Sequence, residues 1–454
     1  MAATITDSIR FNRVIFRGRV FTKQCLDRAV DECALHLDRN VRSNSPVVYL
    51  FGHNHIKTII AFLAVVKTGR AALLVDPKTG KLEYEEMLAD TRPSAIIKPD
   101  PETIEFNTAK EFEFTDAIMT DAEVGQLDDV CLLLYTAAED GYAKAAMLTH
   151  QNIRSNALAI AQETGIQTKS LSCVLLPFHH LYGFQNSVMV PLVAGNFELI
   201  CEISDILKIN QIAEEISNRQ VSHIYSVPLV YYLLSRSSYI KSIGGHAYLM
   251  MSGGYKLPAS LREHFEQKLK FPIYEGYGLT EASPAFTCQS PIKPFDKDSI
   301  GRVMVNYQVK IVDDAGNEIP FGQKGEIWFH GDTIMKGYFN RPEATKQKIA
   351  GGWLRTGDYG KLDKEGNVFF LGLKKKMFNV AGNKVYPEEV KRLMMKNGNI
   401  ASIELRSEYN DLTGDSVKAT ISFKNNTPSA LADLHAWCSA MLTKYKIPSL
   451  MTSG

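Results

Sequence analysis

Four short apolar runs bounded by turn residues, Val47–Phe51, Ala71–Val75, Ala95–Ile97 and Cys131–Leu134, constrain the fold of this chain most strongly. Each has strand length, and between the first two Ile59, Ile60, Phe62, Leu63, Val65 and Val66 recur at helical spacing. Strand alternating with helix requires right-handed crossovers and a parallel sheet covered on both faces. The pattern returns in Cys173–Leu176, Phe197–Cys201, His223–Val227 and Tyr248–Met251, read as a second sheet layer of the same region and not as a tandem repeat. The expected fold class is α/β.

From about Ile300 the texture changes to strands punctuated by glycine: Val309–Val312, a turn at Asp313–Asn317, Gly325–Phe329, and Asn367–Leu371 after Asp363–Gly366. Such spacing predicts a small antiparallel, barrel-like subdomain over about 300–372. Lys374, Lys375 and Lys376 then mark a surface linker, and Pro387–Met395 reads as a helix with proline at its start. The expected division is a large N-terminal domain, 1–372, of two parallel-rich sheets plus the barrel-like part, followed by a small, shortened α+β C-terminal domain, 373–454, with a hinge near Lys375.

Composition narrows the setting. The formal net charge is +1, so no global field recruits nucleic acid or an acidic membrane. Seven cysteines, scattered and without a C-x-x-C pair, are expected to be reduced thiols in a cytoplasmic protein. Residues Met1–Arg10 lack the apolar core of a secretory signal, and the stretches Thr58–Val66 and Ser187–Ala194 are too short to span a bilayer.

Several strings carry chemistry. In 135–150, Thr136, Gly141 and Lys144 offer a hydroxyl, a backbone open to close approach and a cation, which together suit phosphate. His179 and His180 stand between an apolar run and a turn containing Gly183 and Phe184. Gly253 and Gly254 precede Tyr255 and Lys256. In Tyr274–Glu281, glycines flank Tyr277, which can stack on a base, while Thr280 and Glu281 supply a phosphate hydroxyl and a metal-seeking carboxylate. Asp358, in Trp353–Asp358, offers two acceptor oxygens to a diol.

Taken together these strings resemble the adenylate-forming superfamily, which includes acyl-CoA and aryl-CoA synthetases, luciferases and peptide-synthetase adenylation domains. The resemblance runs from about Val20 to Pro448. It implies that Tyr277 stacks on adenine, Thr280 contacts the α-phosphate, Glu281 holds Mg²⁺, and Asp358 binds the ribose hydroxyls. It also implies that His180 lines the acid pocket, that Lys375 is the hinge, and that Gly382 lies in the segment lining a pantetheine tunnel; Phe184 and Tyr255 are expected at the same pocket from their aromatic character, Tyr255 and Lys256 standing where the family usually has Ala-Pro. The implied ligands are Mg²⁺, ATP or AMP, a small carboxylic acid, and coenzyme A or phosphopantetheine as thiol, with an acyl carrier protein or another biosynthetic enzyme as the partner to consider.

The departures are uneven. Against the pattern Tyr-Thr-Ser-Gly-Thr-Thr-Gly-x-Pro-Lys-Gly, this chain has Ala137, Ala138, Glu139, Asp140, Ala143 and Ala145. A carboxylate about 5 Å from a phosphate charge at an effective dielectric near 20 repels it by about 3 kcal/mol. Leu373 replaces an arginine, and the Gly-Lys string that follows Lys444–Pro448 in the family is not within the 454 residues. These changes all fall on the adenylation step. The expectation is an acyl- or aryl-CoA synthetase-like protein with ATP-dependent adenylation weak or lost; a fully active AMP-forming ligase and a non-catalytic binding subunit remain open.

Overall fold

The computed structural model describes residues 4–9, 13–16, 18–41, 45–99, 112–116, 127–136, 141–165, 170–194, 197–200, 208–374, 377–380, 382–410, 414–425 and 427–453. Glu139, Asp140, Lys375 and the alanines Ala137 and Ala138 lie outside the described residues.

The apolar runs form strands as their patterns predict. Val47–Phe51, Ala71–Val75, Ala95–Pro99 and Val130–Thr136 pair in parallel at the centre of a seven-stranded sheet. Antiparallel strands Lys144–Thr149 and Phe112–Asp116 flank them. A nine-stranded sheet holds Ser170–Cys173, Phe197–Ile200, His223–Ser226, Leu249–Ser252 and Tyr274–Gly278 in parallel register, with Arg13–Phe16 beyond Phe197–Ile200. The expected strand Cys173–Leu176 is displaced: the strand is Ser170–Cys173, and the apolar Val174–Leu176 lies beyond its end, where the chain leaves the sheet toward Pro177 and the histidines.

The helix Ile56–Lys67 is apolar on nearly every side and is buried along almost its whole length. A helix of that kind is stable only when covered all round, and here one continuous core encloses it together with residues of both sheets. Phe62 meets Phe184 edge to face at 4.9 Å, and Phe178 meets Phe184 at 5.9 Å. These rings fix the helical run 181–194, which follows His180 and contains a π-helical stretch at Gln185–Met189.

An antiparallel five-stranded sheet follows, built from Tyr307–Val312, Gly325–Gly331, Trp353–Leu362, Ile349–Ala350 and Val368–Leu373. The smaller C-terminal α+β domain has its own core and a five-stranded sheet with Gly414–Phe423 at its centre, covered by helices Pro387–Met394 and Ala430–Met441.

Because Phe62 is fully buried against Phe184, Phe62→Ala is expected to lower the unfolding free energy by about 3–5 kcal/mol. Urea denaturation of the variant against the wild type checks this.

Candidate active site

A cavity of about 650 Å³ opens where the C-terminal ends of the two parallel sheets meet the antiparallel sheet and the terminal domain. In parallel α/β sheets the strand C-termini present loops and helix starts at one edge, which is where ligands are bound.

Four of the expected residues come together there. Tyr277, Thr280, Glu281 and Asp358 all line the cavity. Gly278 is required for the turn that carries them, since a Cβ at that position would stand 1.7 Å from the Pro284 carbonyl oxygen. The Tyr277 hydroxyl donates to the Asp358 carboxylate, and the ring lies near Phe286 at 5.9 Å and 29°. Burial raises the Asp358 carboxyl above its ordinary range, against the opposing pull of Lys384 and Tyr277.

Glu281 behaves oppositely. Burial alone would raise it, but Lys348 and Lys384, with the Tyr338 hydroxyl donating to Oε1 at 2.7 Å, hold it below the usual carboxylate range. An ionised carboxylate in a cavity able to admit phosphate oxygens suits Mg²⁺, which takes one or two carboxylates and completes its shell with phosphate and water. Lys348 and Lys384 were not found from sequence. Lys348 lies on the helix Pro342–Lys348 and donates to the Thr356 carbonyl at 3.2 Å; Lys384 lines the cavity from the terminal domain. The only signal for Lys384 was its place two residues after Gly382.

His180 lines the cavity and caps the helix that follows it, its Nδ1 accepting the Tyr182 N–H at 3.2 Å. That bond assigns the proton to Nε2. Burial, then the neighbouring His179 and Lys384, pushes the His180 imidazole down to about 4. His179 faces Asp76 at 3.5 Å.

Thr136, Gly253 and Gly254 also line the cavity. Other expected residues do not. Phe184 is fully buried in the core against Phe62, so its ring serves packing. Tyr255 turns away: its hydroxyl accepts the Leu229 N–H at 2.9 Å at the start of the helix Pro228–Ser235. Lys144 opens the strand Lys144–Thr149 and pairs with Thr136 across the ladder, outside the cavity lining. Gly141 is covered by the terminal domain, its carbonyl accepting Arg392 Nε at 2.8 Å while the guanidinium lies 4.4 Å over the Tyr142 ring.

The terminal domain closes the cavity. Gly382 adopts φ +90, a backbone state open to glycine, and a Cβ there would meet Val227 at 3.7 Å and Tyr255 at 4.0 Å. Asn379 Oδ1 accepts the Gly382 N–H at 3.0 Å, and its Nδ2 donates to the Gly254 carbonyl at 3.1 Å. Behind this hairpin the buried Lys446 ammonium pairs with Glu389 at 2.7 Å and with Glu83 of the large domain at 3.2 Å. Arg392 grips Glu86 through two bonds, 2.6 and 2.8 Å, and Lys396 adds a third at 2.6 Å.

The model of the AMP-binding enzyme family matches residues 7–339, and the chain belongs to that family. A long-chain-fatty-acid–CoA ligase of Yersinia pestis is 29% identical over 334 residues, 71% of this chain; the match spans only 58% of that relative's length. A feruloyl-CoA synthase of Amycolatopsis sp. is 28% identical over 450 residues, covering 95% of this chain and 89% of the relative. Among solved structures, an o-succinylbenzoate-CoA synthetase of Bacillus subtilis, bound with a product analogue, shares the fold with a TM-score of 0.82 at 23% identity, over 98% of this chain and 92% of the other. No helix among the described residues is long and apolar enough to cross a membrane.

Two outcomes are expected. Lys446→Met leaves Glu83 and Glu389 facing each other without a counter-charge; breaking a buried pair in this way costs about 3–5 kcal/mol. The variant should show faster tryptic cleavage within the lysine-rich connector between Leu373 and Phe378, and an unchanged rate would remove the latch role. For pH, His180 falls from its ordinary 6.5 to about 4 on folding, so the unfolded state binds its proton first. Its stabilising contribution is complete above 6.5 and is lost as pH drops through 4. His180→Asn keeps a capping side chain without the titration, so its urea stability should fall less steeply than the wild type's between pH 6.5 and 4.

Proposed function

We propose that this protein joins an acyl or aryl group, presented as its adenylate, to a pantetheine thiol, with adenylation from ATP the weaker half of its chemistry. The observation that carries the reading is the docking of the Gly382 hairpin onto Gly254 at the rim of the cavity lined by Asp358, Tyr277 and Glu281. A thiol arriving beside that hairpin would meet the acyl carbon of a ligand whose adenosine lies against Tyr277 and Asp358.

The step is a substitution. The thiol sulfur forms a C–S bond to the acyl carbon, the C–O bond to the phosphate breaks, AMP leaves with the electron pair, and the thiol proton passes to solvent. His180 Nε2–H would donate to the acyl oxygen, since its other nitrogen is occupied by the Tyr182 N–H. Its low proton affinity keeps it neutral and so a donor without net charge. Lys348 and Lys384 would balance the phosphate charge beside Glu281, each at the range over which they already act on that carboxylate. Mg²⁺ held by Glu281 would supply further neutralisation of phosphate.

Support for weak adenylation lies in chemistry near Asp358. Leu373 is the direct ladder partner of Asp358, so the position where the family places a permanent cation carries an apolar side chain beside the diol-binding carboxylate. Glu139 and Asp140 add two negative charges to the phosphate-loop sequence. The second reading, a complete AMP-forming carboxylate–CoA ligase, is favoured by the assembly of Tyr277, Thr280, Glu281 and Asp358 around one cavity.

Supplying a synthetic acyl-adenylate with coenzyme A should yield thioester at least about a hundredfold faster than the acid with Mg-ATP and coenzyme A, the usual scale for losing one preorganised charge from a transition state. Equal rates would return the complete ligase to first place. No thioester above the uncatalysed rate would leave a binding role, read by titration with AMP.

A further inference from the structure

His179 has no part in the chemistry described so far, yet it lines the cavity beside His180. Its Nε2 stands 3.5 Å from a carboxylate oxygen of Asp76, which lines the same cavity just beyond the C-terminal end of the strand Ala71–Val75. Gly52, following the neighbouring strand Val47–Phe51, makes room for this approach, since a Cβ there would stand 2.8 Å from the His179 backbone nitrogen. Nδ1 is buried, so Nε2 is the ring nitrogen within reach of a ligand. An imidazole that offers a nitrogen to a cavity, with a carboxylate at hand to balance a gained proton, has the parts of a general base.

The pair lies under the terminal domain. Asp76 acts electrostatically on Tyr445 of that domain. Three residues beyond Asp76, Thr79 lines both the cavity and a second pocket of about 410 Å³ on the domain seam, where the Gly80 N–H donates to the Thr443 hydroxyl at 2.9 Å. An arm entering from the seam toward an acyl carbon at His180 therefore passes Asp76 and His179. The charged and titratable groups around the ring are Asp76, Lys78, His53 and His180. Burial, with Lys78 and His53, lowers its proton affinity; Asp76 and the Gly52 backbone oppose this, and the balance stays below the ordinary 6.5. The ring is thus neutral at pH 7, the state from which a base must start.

Resting on the acyl-adenylate reading above, we propose that His179 is the general base of the thioester step and that Asp76 is its positioning residue. The thiol S–H bond breaks, its proton goes to His179 Nε2, and the sulfur forms the C–S bond to the acyl carbon with the electron pair left behind. The C–O bond to phosphate breaks, and AMP leaves with that pair. Asp76 balances the imidazolium until its proton passes to solvent. The two adjacent imidazoles then divide the work: His180 donates a hydrogen bond to the acyl oxygen, and His179 takes the proton of the nucleophile.

The test is the pH dependence of thioester formation by the full chain from a synthetic acyl-adenylate and coenzyme A. In the wild type kcat should be level above about pH 6.5, well short of the thiol's own pKa of about 8.5. His179→Gln should lower kcat about 10²–10⁴-fold near neutrality with KM for coenzyme A unchanged. Its rate should then climb about tenfold per pH unit toward 8.5, as the solution supplies the thiolate. Asp76→Asn should lose less and recover over the same range. No loss in His179→Gln, a loss equal at every pH, or a loss carried by KM overturns the base assignment alone. A wild-type kcat that itself climbs toward 8.5 overturns it even where the variants fail to fold. No thioester from the wild type at any pH overturns it together with the acyl-adenylate reading beneath it.

Discussion

The Lys446 ammonium is buried between Glu389 of its own domain and Glu83 of the large domain. A charge so placed is tolerable only with both partners present, because desolvation costs several kcal/mol per ion. Burial lowers the proton affinity of Lys446, but Glu389, Tyr445 and Glu83 more than offset this and hold it above its ordinary range. The pairing ties the helix Lys81–Thr91 to the turn Lys444–Lys446 and the helix Pro387–Met394 of the terminal domain, and Arg392 repeats the link through Glu86. The Gly382 hairpin and Lys384, which close the cavity, belong to the domain held by that attachment, with the Asn379–Gly254 bond as a further link.

Below the latch the site rests on packing. The largely apolar helix Ile56–Lys67 and the phenylalanines around Phe184 set the direction of the chain leaving His180. The imidazole is therefore placed by hydrophobic contacts several residues away, while its tautomer is set by one backbone N–H. Position and protonation have separate physical causes at this residue.

The parallel strands were legible because a strand buried on both faces must read as an apolar run, as Ala71–Val75 and Val47–Phe51 do. The strings around Tyr277 and Asp358 were legible because their chemistry is compressed into a few adjacent residues. Phe184 and Tyr255 show the limit: an aromatic beside a motif looks the same in sequence whether it points to core or to cavity, and tertiary packing decides. Lys348 and Lys384 were unreadable for a different reason, since their significance is electrostatic and depends on one carboxylate, Glu281, which lies 67 positions before the first and 103 before the second.

Leu373 pairs with Asp358, and the Lys374 N–H donates to the Gly357 carbonyl at 2.9 Å. Four residues after that bond, Phe378 begins the terminal sheet. The strand pair that presents the Asp358 carboxylate to the cavity thus also leads toward the domain that carries Lys446 and the Gly382 hairpin. A ligand held at Asp358 would therefore touch the same strand pair from which the chain enters the terminal domain, so the carboxylate and the path to the cavity's cover share one piece of backbone.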